Sequence, residues 1–220
     1  MKRNNIICLD FETGGFKCDK NAVTQVAVQS FEIDTFKEIS RYSSYVAPYN
    51  DLTYEDKALE MTGITMKMIS EGEDIKVVVK DLIEQFKLAN TAKTHTKKPT
   101  LLGHNIMFDI AFLQYIFKYC KEDLSKYIEC KEDAYGKQVP LFFDTMLMSR
   151  LKWGVDEDMT SFNLSACCQK AGIDIFDAHD AQNDVTATRE LFIYFTNHLR
   201  TGSGTSEESN KARFRETFEI

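Results

Sequence analysis

The sequence predicts an α/β protein in which one mixed β-sheet is flanked by helices. Strand-like segments come first, and helical and strand-like segments then alternate. Residues 5–10 (NIICLD) form an apolar run suited to a buried strand. Residues 22–33 and 37–47 are rich in β-branched and aromatic side chains and read as two further strands. Gly14-Gly15 marks the turn after the strand at 5–10. Over 74–89, Ile75, Val78, Val79, Leu82, Ile83 and Phe86 make one apolar helical stripe.

The polar, basic segment Thr91–Pro99 is expected to be a loop, and a short strand starts at Thr100. A helix then runs to about Tyr119. Residues 121–140 are charged and of mixed character, and the apolar run 141–143 reads as a short strand. Helices at about 161–171 and 180–199 close the pattern. Beyond Arg200 the composition becomes that of a flexible linker, TGSGTSEESN, and the sequence ends in KARFRETFEI. No internal repeat is present.

The 220 residues suit one domain, and 43% apolar content is enough for a folded core. MKRNNIICLDFE reaches a carboxylate too early for a signal peptide, and no later stretch could span a bilayer. A soluble, cytoplasmic protein without membrane partners is therefore expected. The six cysteines show no zinc-type spacing and are expected to be free thiols. A net charge of −7 argues against a basic nucleic-acid coat protein. It leaves room for an enzyme whose acidic site is neutralised by divalent cations.

Three acidic segments carry the chemistry. Asp10 and Glu12 occupy positions i and i+2 at the end of the first strand, so both carboxylates project from one face. Such a pair is also ordinary turn chemistry, but crowded carboxylates at a buried strand end are stabilised by a divalent cation. The second segment is GHNIMFDIAFL at 103–113, where Asp109 interrupts a core-forming helix. A residue there could simply complement the helix dipole. The third is DAHDAQNDVTATRELF at 177–192, with His179 before a helix and Asp184 one turn inside it. Here His179 could equally be a surface residue, and Asp177 or Asp180 a helix cap.

The order D-x-E, H-N-x-x-F-D, H-D-A-x-x-D resembles the DnaQ-like exonucleases of the DEDDh group, which include the epsilon subunit of bacterial replicative polymerase. Thr13-Gly14, Thr62-Gly63-Ile64-Thr65 and Asp144-Thr145 are smaller echoes of the same pattern. The resemblance implies a ribonuclease H-like fold, a mixed five-stranded sheet with its second strand antiparallel. It implies an exonuclease domain over 1–199 and a flexible C-terminal tail over 200–220. Asp10, Glu12, Asp109 and Asp184 would hold two Mg²⁺ or Mn²⁺ ions, with His179 as general base.

The expected activity is 3′–5′ exonucleolytic release of nucleoside 5′-monophosphates from single-stranded 3′ ends, DNA before RNA, in proofreading or repair. The alternatives are an RNA-trimming enzyme and a non-catalytic binding module. Thr13, the Gly14 backbone, Asn105 and Phe108 are the candidate substrate contacts. Asn105 could instead cap the next helix, and Phe108 could be core. Lys93, His95, Lys97 and Lys98 either track phosphates or form a solvated loop. Phe214 and Phe218, spaced for one helix face, make the tail either a docking peptide for a replication protein or a frayed terminus.

Overall fold

Alternate side chains of the first strand enter two different cores, and this alternation organises the molecule. In the computed structural model, residues 5–90, 98–175 and 180–201 are described. Strand β1 (Asn5–Thr13) sends Ile7, Leu9 and Phe11 to one face. Its Ile6 and Cys8 go to the other. Strands β2 (Val23–Glu32) and β3 (Glu38–Tyr45) follow as an antiparallel meander. Strands β4 (Thr100–Gly103) and β7 (Phe142–Asp144) continue parallel to β1 on its other side. The sheet order is β3-β2-β1-β4-β7, the mixed five-stranded arrangement expected.

Helices α3 (Ile75–Ala89) and α4 (Met107–Tyr119) cover the first face. The predicted stripe of α3 is buried there as read, with Asp74 capping the helix by accepting from Lys76 N. Helix α7 (Ala181–Thr201) covers the opposite face, where Val185 and Phe192 pack on Ile6, Ala27, Phe31 and Leu102. Helices α5 (Thr145–Trp153) and α6 (Leu164–Ala171) pack outside α7 through Trp153, Cys167, Cys168, Leu191 and Phe195.

Five elements go beyond the sequence reading. Short helices α1 (Asp56–Thr62) and α2 (Met66–Ser70) flank Gly63, which ends α1 in the left-handed region at φ 67°. Helix α5 begins directly at Asp144, whose side chain caps it. Within 121–140, strands β5 (Cys130–Glu132) and β6 (Gln138–Pro140) form a separate hairpin. Most of the basic loop, the segment holding His179 and the tail beyond Thr201 lie outside the described residues. Lys98 is described, and its ammonium donates to the Ser125 carbonyl at 2.6 Å. No described helix is long and apolar enough to cross a membrane.

Candidate active site

Asp10 and Glu12 share the parity of Ile6 and Cys8, so they emerge on the α7 face just where β1 runs beyond its core. A register shift between Glu12 and Thr13 ends the regular pairing there. Asp184, in the first turn of α7, faces them. One ligand oxygen from each of the three lies within 4.8 Å of the others. A cleft of about 180 Å³ opens at this point, walled also by Phe11, His104, Asn105, Phe108 and Asp109. A second cleft of about 170 Å³ lies between α4 and the β5–β6 hairpin. Chemistry, not size, separates them, because the first alone brings together three metal-ligating groups among the described residues.

Burial pushes Asp10 up to about 8, and the nearby Asp184 and Asp180 charges add to the effect. Glu12 is likewise held at about 8, first by burial and then by Asp10, Asp184 and Asp180. Burial, then Asp10, drives Asp109 well above the carboxylate range. Carboxylates crowded this closely must either hold protons or share a cation. The donor set is oxygen only, which fits hard divalent ions.

Asp109 reaches the cleft from the other face of the sheet. Strand β4 pairs with β1 only through Cys8, because the chain turns at Gly103 into α4. The turn is tight: a Cβ at Gly103 would lie 2.8 Å from the Ile106 side chain, and Asn105 takes a positive φ of 61°. Beyond Cys8 the outer edge of β1 needs another partner, and Asp109 Oδ1 accepts from Phe11 N at 3.1 Å. Asp109 thus lines the cleft without belonging to the three-carboxylate set.

The remaining candidates divide. Asn105 is exposed at the cleft; its backbone N–H donates to Asp144 Oδ1 at 3.1 Å, and its side chain caps nothing. Phe108 lines the cleft while packing on Phe112 at 5.0 Å between ring centres. Thr13 and Gly14 do not line it: Thr13 Oγ1 donates to the Gly15 carbonyl, and a Cβ on Gly14 would meet Thr53 O at 2.8 Å. Asp180 is the cap of α7, accepting from Gln182 N and Asn183 N. His104 Nε2 donates to the Phe162 carbonyl at 2.8 Å, and Nδ1 lies 2.9 Å from the Thr145 hydroxyl, which also reaches the Gly103 carbonyl at 3.2 Å. Burial lowers its pKa, which suits a neutral pin between β4, α5 and the 162 loop.

Two residues escaped the sequence reading. Phe16 is 80% exposed and lies edge-on to Phe108 at 6.4 Å, beside the cleft. An aromatic ring directly after a glycine pair was the available signal. Gln25 is buried behind Glu12 and carried no signal, because a glutamine in a strand reads as solvent-facing.

A mixed sheet in this order, with acidic residues gathered at the ends of its central strands, defines a ribonuclease H-like nuclease architecture. The chain belongs to the Exonuclease (RNase T) family, whose profile matches residues 7–192. Among solved structures, E. coli Exonuclease I in complex with a dT13 oligonucleotide aligns with a TM-score of 0.71 at 22% identity, covering 90% of this chain and 42% of that one. The zinc-bound form of the E. coli ExoI–ssDNA complex gives a TM-score of 0.68 at 22% identity, covering 89% and 43%. The ExoI/SSB-Ct complex gives 0.66 at 20% identity, covering 90% and 44%. The likeness at these identities is one of fold, and this chain spans less than half the length of those structures.

Proposed function

We propose that this exonuclease works from the 3′ end of single-stranded DNA, using two Mg²⁺ or Mn²⁺ ions, and releases nucleoside 5′-monophosphates. The observation that carries the reading is the convergence of Asp10, Glu12 and Asp184, from two distant segments, within 4.8 Å. These three residues would hold the cations, and Asp109 would complete the acidic wall from α4. When bound, the ions supply the positive charge that activates water and stabilises the departing 3′ oxygen.

His179 is the proposed general base, supported by its place in the sequence immediately before the α7 cap Asp180. It takes the proton of the water that attacks phosphorus as the P–O3′ bond breaks, and an imidazole suits that task near neutral pH. Phe16 and Phe108 offer an aromatic shelf on which a terminal base can stack. The DNA preference is supported by the oligonucleotides bound to Exonuclease I. A role in repair or proofreading belongs to the same proposal. So does docking of the 200–220 tail on a replication protein.

The test is digestion of 5′-labelled single-stranded DNA and RNA with Mg²⁺, Mn²⁺ or EDTA, beside the Asp184→Ala and His179→Ala proteins. A metal-dependent ladder shortening from the 3′ end, fastest on DNA and lost in both variants, is expected. Full activity in either folded variant would overturn the assignment of that residue. Faster loss of RNA would reassign the substrate. Unchanged partner binding after deletion of 201–220 would remove the docking role.

A further inference from the structure

Gln25 stands on β2 directly opposite Glu12 in the β1–β2 register, on the sheet face that α7 covers. It is 4% exposed. A carboxamide is costly to bury unless both its ends are bonded. Here both are: Nε2 donates to Asp180 Oδ2 at 3.1 Å, and Oε1 accepts from Ala181 N at 3.3 Å. The other Asp180 oxygen caps the helix, accepting from Gln182 N at 3.0 Å and Asn183 N at 3.2 Å. The Asp180 carbonyl accepts from Asp184 N at 3.0 Å. An unbroken run of bonds therefore joins the cross-strand neighbour of Glu12 to the residue that carries the third carboxylate.

We infer that Gln25 is a positioning residue for the acidic centre: its two-ended grip fixes the first turn of α7 against the Glu12 end of the sheet and so sets where Asp184 stands. Farther along α7 its apolar side chains pack on the sheet, and Arg189 and Arg200 bond the carbonyls of Phe36 and Ile33. The Gln25 bonds add directional register at the first turn, the end that carries Asp184. The inference rests on the reading of Asp10, Glu12 and Asp184 as the cation-holding set.

The test uses the whole chain with Gln25→Met, which keeps volume but loses both bonds, and Gln25→Asn, which is too short to make both. Neither changes charge, so long-range electrostatics at the site is unaltered. Mn²⁺ binding, followed by the EPR signal of free Mn²⁺, is compared with the parent and with Asp184→Asn. Affinity is expected to fall about tenfold in both Gln25 variants, the lower end of what losing a metal ligand's own outer partner costs, because Gln25 acts on Asp184 through Asp180. Turnover at saturating Mn²⁺ should return to near the parental value, which a folding defect would prevent. Parental affinity in the Gln25 variants, with binding lost in Asp184→Asn, overturns the positioning role and leaves the metal reading intact. Turnover that stays low at saturating Mn²⁺ in both Gln25 variants also overturns it. Parental affinity in Asp184→Asn sinks the metal reading and the inference together. Should Gln25→Met fail to fold, Gln25→Asn decides alone.

Discussion

Helices α4 and α7 both bring a carboxylate to the cleft, and they are built in opposite ways. Helix α4 is embedded in the larger core through Ile110, Phe112, Leu113, Ile116 and Phe117, and its Asp109 is buried and bonded to the backbone of β1. Helix α7 lies on the other face, between the sheet and helices α5 and α6, and its Asp184 is half-buried at a helix start held by polar groups. The α4 carboxylate is therefore part of the framework as well as the site. The α7 carboxylate belongs to a first turn whose place depends on a few directional bonds.

The sharpest way to break this contrast is to remove each carboxylate in turn. Asp184→Ala should lower turnover by roughly a thousandfold or more, as loss of one preorganised charge-stabilising group does, and should leave the metal-free protein folded. Single-turnover kinetics and circular dichroism check both parts. Asp109→Ala should also abolish activity, but it should cost about 1–3 kcal/mol of stability because Phe11 N loses its partner in a buried site. Urea unfolding without metal measures this. Equal destabilisation by the two substitutions would show that the contrast is wrong.

Acidity sharpens the comparison further. Asp10 and Glu12 are held near 8 in the folded protein, far above the value of a carboxyl in the unfolded chain. Between about pH 4 and 8 the unfolded chain has therefore given up protons that the fold retains. Metal-free protein should lose stability as pH rises through that window, and Mg²⁺ should flatten the profile by stabilising the ionised form. Urea midpoints at several pH values, with and without Mg²⁺, read this directly, and a flat metal-free profile would contradict it. The smallest effect is expected at the rim on the α4 side. Phe16→Ala should raise KM by about tenfold through lost base stacking, with turnover and stability nearly unchanged because the ring is exposed. Steady-state kinetics on single-stranded DNA would show it.

Much of this was legible before any coordinates. The i, i+2 parity of Asp10 and Glu12 put both on one face, and the stripe of α3 named its buried side chains. The second half of the chain was harder. Strands β5 and β6 are three residues each, and α5 buries Thr145 and Ser149 while exposing Leu147 and Leu151, so neither shows a clear apolar period. Thr13 and Gly14 show a second role that the motif did not record. Their motif invites a substrate contact, yet Gly14 is glycine because the 53–54 backbone packs against it.

What the sequence alone determined is the set of acidic residues, the strand and helix periods that carry them, and the family to which they belong. These are local properties, written in spacing and side-chain type. Only the tertiary structure decided that Asp109 satisfies the backbone of β1 and that Gln25 ties the cap of α7 to the strand opposite Glu12. Each of those bonds joins residues far apart in the chain, or depends on which backbone groups a neighbouring strand leaves unpaired, and no local period records either.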